Sequence, residues 1–523
     1  MTYIEFINDK IFKLLREFLN LQNNNISFKI TNESITAFIK LSTAVFNSAL
    51  LITLFLVIFN VLVNIFFKNN AYVEKIVRHF NIFLISVNLG LLIIKFYIAL
   101  KLESVFTFHM ADMRWEFFSF NNNLSYLEHF VIFSSSFSDG ILILCYITGI
   151  ICLELLGFKN LFKNFNNISI FFFFFFFVTI MVSTNNLLVM FICFEFIFLP
   201  TIYFAYKLGY SKKIDKSTEI LFYWTLFGSF MILCNLAYIY YTYNTLNYIF
   251  LTRQYYTEKE MRLLFMGFLI GFGIKIPLAP LHFWLLKVHV ESPTAFSIFL
   301  SGFLVKSALY CLFMLIGIFR SKNHHTILLL WSLYSLLVGT IGLGRQIDIK
   351  KLIAWATIQE MSFMMVFLIF KQIFLTHTFV LFVVLHGIMS SYMFFVIDIM
   401  QRRYKTREFQ KIRGLHIILP KLTKHIWFLI LLFSGFPLTA KFIIEWFLIS
   451  LMIETSRILL ILTIFFVNFI GIILFSKIFF TMIYGVPENI EDDEFYETQK
   501  KEYVLLNFLT LIIIILIFLI YFF

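Results

Sequence analysis

Windows of about 20 mostly apolar residues recur along nearly the whole chain, and they restrict its fold more than any other feature. That is the length an α-helix needs to cross a bilayer, where each backbone polar group must be satisfied within its own segment. The windows fall near 45–67, 80–100, 138–157, 166–183, 186–207, 217–243, 262–284, 293–319, 325–343, 350–371, 374–400, 423–450, 456–482 and 503–523. Of the 523 residues, 60% are hydrophobic and 14% charged. A soluble domain has about 45–50% and about 25%. The predicted fold class is an all-α polytopic membrane protein with about fourteen transmembrane helices.

The net charge of +12 would suggest nucleic acid in a soluble protein. Here the basic residues sit between spans, so they report orientation instead. With alternating topology, the richer set of loops is 68–79, 207–216, 345–351 and 402–424. That side should face the cytoplasm or the mitochondrial matrix, which puts both termini on the opposite face. The acidic loop 488–502 falls on the basic side, but acidic residues count little in this rule. Residues 1–20 have apolar residues at helical spacing with a mixed charged face, the pattern of a surface-lying helix. The seven phenylalanines Phe171 to Phe177 read as lipid-facing filler from an AT-rich coding sequence. Cys145, Cys152, Cys193, Cys234 and Cys311 lie in or beside spans without CxxC spacing, so they read as small buried hydrophobes rather than metal ligands.

No soluble domain interrupts the spans, and no phosphate-binding glycine loop stands in a strand-to-helix setting. Hydride transfer, nucleotide hydrolysis and iron–sulfur chemistry are therefore expected elsewhere. What remains is a set of ionisable residues inside the apolar windows. Glu195 lies in LLVMFICFEFIFLPTIYF, Lys306 in FSIFLSGFLVKSALYCLFML, Glu360 after IAWATIQ and His386 in FVLFVVLHGIMSSYMFF. Lys275 belongs to GFGIKIPLAPLHFWLLKVHVESP, with His282, His289 and Glu291 behind it; Lys441 and Glu445 belong to FSGFPLTAKFIIEWFLI. A charge at mid-bilayer costs about 2.5–3.5 kcal/mol on insertion scales, so such groups face a bundle interior or a water path. One alone could snorkel or bond a neighbouring backbone. Six spans carrying one add up to a proton or ion relay.

Two of those spans also contain a helix breaker. Pro277 follows Gly271 and Gly273, and Pro437 follows Gly435. Each should interrupt its helix, and freed carbonyls are tolerated at membrane depth only where they are buried in protein or line water. A lysine beside the break is expected to use them as acceptors. Each half has a span with a central carboxylate (Glu195, then Glu360) followed by a broken helix. That order suggests two structural repeats, each with its own path. Lys441 and Glu445 stand at i and i+4, on one helix face, and should partly neutralise one another.

The run KIPLAPLHFWLLKVHVESPTAFSIFLSGFLVK resembles subunit 4 of the NADH dehydrogenase of mitochondrial respiratory complex I, within the antiporter-like subunit family. FEFIFLPTIYF, RQIDIKKLIAWATIQEM and LHGIMSSYMFF match further motifs in the same order, and the likeness covers about 180 to 450. The resemblance implies a fourteen-helix proton-translocating module built from two inverted five-helix repeats. It implies no redox centre in this chain, with NADH, flavin, iron–sulfur clusters and ubiquinone held by partner subunits. Carried over, Glu195 and Lys275 form the gating ion pair of the first half-channel. Lys306 then links it to a central axis, His386 continues that axis, and Glu445 is the terminal protonation site. His282 would lie on the polar path near Lys275, and Asp348 and Lys350 would be structural. Glu360 stands where relatives usually have histidine, and Lys441 where a small polar residue is usual, so both are accessory candidates.

The implied organisation is an N-terminal segment 1–44, first helices 45–157, repeats at 158–319 and 320–482, and an acidic loop with a last helix at 483–523. Expected partners are antiporter-like subunits 2 and 5 on either side, other membrane subunits and lipid, with no nucleic acid. The expected place is the mitochondrial inner membrane, with organellar coding. A subunit of a multisubunit cation/proton antiporter would share the fold. A zinc enzyme using His282, His289 and Glu291 is disfavoured, because the histidines are two turns apart on one helix. A purely structural spacer would tolerate substitution at Lys275.

Overall fold

The computed structural model describes residues 48–63, 65, 71–105, 115–116, 131–132, 136–158, 165–208, 214–319, 322–368, 373–437, 439–454, 458–486 and 500–522. The N-terminal segment 1–44 and most of the acidic loop lie outside these residues. In chain order the helices are α1 (Ser48–Val63), α2 (Ala71–Val105), α3 (Ser136–Phe158), α4 (Phe165–Ser183), α5 (Leu187–Leu208) and α6 (Ile214–Tyr243). After the short α7 (Tyr248–Thr252) come α8 (Glu258–Lys275), α9 (Phe283–Glu291), α10 (Thr294–Ile318) and α11 (Lys322–Gly344). Then follow α12 (Ile349–Phe367), α13 (Ile373–Tyr404), the short α14 (Leu415–Ile418), α15 (Pro420–Phe433), α16 (Ala440–Glu454), α17 (Ile458–Tyr484) and α18 (Lys500–Phe522). Trp115–Glu116 and Val131–Ile132 pair as two antiparallel two-residue strands, a small departure from an all-helical chain.

Among the described residues, nine helices are long and apolar enough to cross a membrane, and α1 and the end of α4 are shorter apolar helices. The two windows carrying glycine–proline breaks each resolve into a pair. α8 stops at Lys275 and α9 starts at Phe283, while α15 stops at Phe433 and α16 starts at Ala440. Of the four halves, α9, α15 and α16 are too short to span alone, at 9, 14 and 15 residues, because proline removes a donor and its ring displaces the preceding turn.

α3, α10 and α13 form the almost wholly buried centre, whereas α2, α6 and α17 bury only about one face. Glycines set the closest approaches. A Cβ on Gly228 of α6 would lie 2.8 Å from the carbonyl oxygen of Gly271 on α8, and one on Gly271 would lie 2.9 Å from that of Gly228. The two backbones are thus in contact, and Gly228→Ala must force them apart. We expect a loss of about 1–3 kcal/mol, the usual cost of overpacking, read as a lowered thermal aggregation temperature of the solubilised protein. A second contact of this kind joins Gly302 on α10 to Gly387 on α13. A Cβ on Gly387 would stand 2.6 Å from the Gly302 carbonyl oxygen.

The phenylalanine run corrects the sequence expectation. Phe171, Phe172, Phe174 and Phe175 are buried, Phe176 and Phe177 are half-buried, and Phe173 is 40% exposed. Phe174 meets Phe299 edge-on at 4.2 Å and Phe303 at 5.4 Å, and Phe175 stacks on Tyr146 at 5.5 Å. Consecutive residues of a helix point all round it, so a run of seven cannot face lipid throughout. Four of the five cysteines are buried as expected; Cys234 lies exposed on α6.

Candidate functional site

The site is built from residues far apart in the chain. On α5, Glu195 reaches across to the end of α8, where the Lys275 ammonium donates to its Oε1 at 2.5 Å. Ser229 of α6 donates to the same oxygen at 2.7 Å. Lys275 is fully buried, whereas the Glu195 side chain is 33% exposed. The ammonium also sits over the rings of Phe194 at 4.4 Å and Phe198 at 4.6 Å, so its desolvation is offset by one carboxylate and two π faces.

The freed carbonyls of this break do not go to the lysine, contrary to the sequence expectation. The Trp284 indole donates to Ile274 O at 2.7 Å, and that of Trp331 to Ala279 O at 2.6 Å. The Ala279 N–H donates to Ser335 Oγ at 2.8 Å. A rigid indole N–H meets a buried carbonyl at little entropic cost, which leaves Lys275 to its carboxylate.

The second break behaves as expected. Lys441 of α16 donates to Phe433 O, at the end of α15, at 2.9 Å. It also donates to Glu360 Oε1 of α12 at 2.5 Å, while Glu445 lies 3.6 Å away, so the i,i+4 pair exists as the longer arm of a buried triad. Glu445 in turn accepts from Asn468 of α17 at 2.7 Å. Gly435, with φ +64°, makes the turn, and a Cβ there would stand 3.3 Å from Glu445 Oε2. Glu360, an accessory candidate from sequence, is therefore the nearest partner of Lys441.

Between the two clusters lies Lys306, fully buried, which donates to Ser301 O. That carbonyl belongs to a π-helical turn, Leu300–Leu304, inside α10. Such turns leave carbonyls free for other donors and recur at functional positions. His386, brought close by the Gly302–Gly387 contact, feels the charges of both Lys306 and Lys441, and Lys306 feels Glu360. Among the described residues, neither ring nitrogen of His386, His282 or His289 has a hydrogen-bond partner. His282 lies on Phe283 and Trp355 at 4.6 and 4.9 Å, and His289 stacks on Phe394 at 5.1 Å. The two histidines face different elements. Among the described residues no group of three or more His, Cys, Asp or Glu side chains converges as metal ligands would.

Asp348 and Lys350 hold the structure. Asp348 caps α12 by accepting from the Lys350 and Lys351 N–H groups at 2.9 and 3.3 Å, and Lys350 donates to Ser292 O. Sequence reasoning passed over two clusters. Lys95 of α2 pairs with Asp139 of α3 at 2.7 Å, fully inside the protein. Lys95 carries the signal that marked Lys275, a lysine inside an apolar window. Asp398 of α13 pairs with Arg402 at 3.0 Å, and Glu502 of α18 binds Arg402 at 2.8 Å and Arg403 at 2.9 Å. Glu502 belongs to the acidic stretch, which has no periodicity that could announce burial. Two arginines of α13 grip one carboxylate of α18, so the cluster reads as a clamp for the last helix. We expect Glu502→Gln to cost about 3–5 kcal/mol, as breaking a buried pair does. The loss should appear as faster proteolysis near α18.

A family model for the transmembrane region of NADH:quinone oxidoreductase and Mrp antiporter subunits matches residues 184–471, more than half of the chain. The chain belongs to this family. Among relatives of this antiporter-like family, NADH-ubiquinone oxidoreductase chain 4 of Paramecium tetraurelia is 32% identical over 321 residues, 61% of this chain and 68% of that protein. Chain 4 of Acanthamoeba castellanii is 32% identical over 277 residues, 52% of this chain and 55% of that one. The chain thus spans about two thirds of the Paramecium protein and about half of the Acanthamoeba one. The fold is shared with a chain of respiratory complex I from Thermus thermophilus, at TM-score 0.71 and 18% identity, covering 90% of this chain and 95% of that one. It is also shared with a chain of the Mrp complex from Dietzia, at TM-score 0.73 and 15% identity, covering 86% and 82%.

Proposed function

We propose that this chain is the chain-4 subunit of an NADH:ubiquinone oxidoreductase and translocates protons in its membrane arm. One observation supports this most. The two lysine–carboxylate pairs, Glu195–Lys275 and Glu360–Lys441, are separated by 80 and 81 residues and both join the early helix of a half to its broken helix. Nearly equal spacing of the same chemistry is what two repeats would produce, here 158–319 and 320–482.

In this reading the chain crosses the membrane about fourteen times, counting each broken pair and α12 as one crossing. The proton affinity of a buried lysine depends on how near its carboxylate lies. Moving Glu195 relative to Lys275 therefore loads or discharges the first site. Lys306 and His386 join it to the Glu360–Lys441–Glu445 triad, which is the second site. His282 and His289 stand ready on the α9 side. The chain supplies no redox chemistry; NADH, flavin, iron–sulfur clusters and ubiquinone belong to partner subunits, with antiporter-like subunits 2 and 5 as neighbours in the mitochondrial inner membrane. The basic loops face the matrix.

Affinity purification of the tagged chain from its own membranes tests this. NADH:ubiquinone reductase activity should copurify in one assembly with the chain. Recovery of a sodium-transporting assembly lacking that activity would transfer the chain to the cation/proton antiporters.

A further inference from the structure

Lys95 and Asp139 form a third lysine–carboxylate pair, outside both repeats. The ammonium donates to Asp139 Oδ1 at 2.7 Å, and both side chains are buried. It has the chemistry of the other two pairs, since a lysine paired with one carboxylate leaves the carboxylate able to take up a proton. The Asp398–Glu502 cluster differs, because arginine locks it.

Its position gives the pair a direction. Phe137 meets Tyr310 at 5.3 Å and Phe313 at 5.0 Å, and Cys152 lies against Ala295 O at 3.2 Å. α3 therefore runs antiparallel to α10, and Asp139 lies level with the turn that carries Tyr310. Tyr310 follows Lys306 by one turn, at i+4, on the same face of α10. It feels the charge of Asp139, and its hydroxyl donates to Val182 O at 3.0 Å. Lys306, Tyr310 and Asp139 thus step toward the end of α10. That end lies opposite the loops around 345–351 and 402–414, which join the start of α10 through Lys350 to Ser292 and Arg407 to Val290.

We propose that the Lys95–Asp139 pair is a proton-binding site that takes protons from the level of Lys306 and releases them at the face opposite the basic loops. The inference rests on the proton-translocating reading above. At rest the pair is an ammonium and a carboxylate. Uptake forms an O–H bond on Asp139, with Lys95 still protonated. Release breaks that bond and restores the ion pair, and no other covalent bond changes. Tyr310 passes the proton by accepting one at its hydroxyl and, on turning away from Val182 O, giving up its own to Asp139.

A pair that only docks α2 on α3 would be replaceable by apolar side chains of similar volume, since such replacement of a buried ion pair is often neutral or stabilising. The test is the double variant Lys95→Met/Asp139→Leu in the whole assembly, reconstituted in vesicles beside the wild type and Lys275→Met. We expect normal assembly with proton transport reduced about a hundredfold or more, in the range that positioned proton-transfer groups contribute. Wild-type transport by the double variant, with Lys275→Met inactive, would overturn this site and leave the broader reading intact. Wild-type transport by both would overturn the broader reading as well. If the double variant does not assemble, Asp139→Glu keeps the charge and the pairing. Turnover-difference infrared spectra should then show a carboxylic acid carbonyl band that this substitution shifts. The absence of any band moved by Asp139→Glu would also overturn the proposal.

Discussion

With Lys275 replaced by methionine, the chain still folds and assembles, and NADH-driven proton transport falls about a hundredfold, the lower end of what a proton-transfer group contributes. Folding survives for two reasons. Methionine fills the stem's space between Phe194 and Phe198 and removes a buried charge. The carboxylate left behind is not stranded either, since Glu195 is 33% exposed and keeps the Ser229 hydroxyl as a donor. Transport fails because no group at that position binds and gives up a proton. Lys275→Arg should fail too, since a guanidinium stays protonated throughout. Proton uptake and NADH oxidation are measured in reconstituted vesicles, with assembly checked on native gels. Full transport by an assembled Lys275→Met protein would leave only a structural role for the chain.

The second half responds differently to the same substitution. Lys441→Met leaves Glu360 and Glu445 facing each other, both buried and with no cation, in place of a triad of one lysine and two carboxylates. We expect a loss of about 3–5 kcal/mol of stability and poor assembly, because an uncompensated buried charge is left behind. Lys441→Met/Glu360→Gln should recover assembly, since it removes one positive and one negative charge together. Glu445 then keeps Asn468 as its donor. Transport should stay low in the double variant. The comparison is a double-mutant cycle on assembly yield and thermal stability, and contacting residues should show a coupling of about 0.5–3 kcal/mol. Additive losses would mean that Lys441 and Glu360 do not act as one unit.

The helices and their two interruptions were legible in the chain itself, because both are local. About 20 apolar residues are enough to specify a crossing, and Pro277 and Pro437 break theirs without any partner. The pairing of Glu195 with Lys275 was legible only through family resemblance. The charges of Lys275, Lys306 and Lys441 stood out for the same local reason, and Lys95 would have done so on equal terms. What the sequence could not disclose was which way each helix is turned. A helix that is apolar all round has no polar stripe to mark its outer face, so nothing local tells Phe173, which is exposed, from Phe174, which is buried. The choice of partner depends on that rotation. Lys441 binds Glu360, 81 residues away, at 2.5 Å and Glu445, four residues on, at 3.6 Å, a preference that sequence separation alone would reverse. Lys275 loses the freed carbonyl of its own helix to Trp284, ten residues on, because the turn after Pro277 folds the indole back over it. Glu502, in a stretch read as an acidic loop, becomes fully buried because α18 docks it between Arg402 and Arg403. Crossings and breaks are set by the chain's own composition; the lysine–carboxylate pairs exist only once tertiary packing has fixed the rotation of each helix.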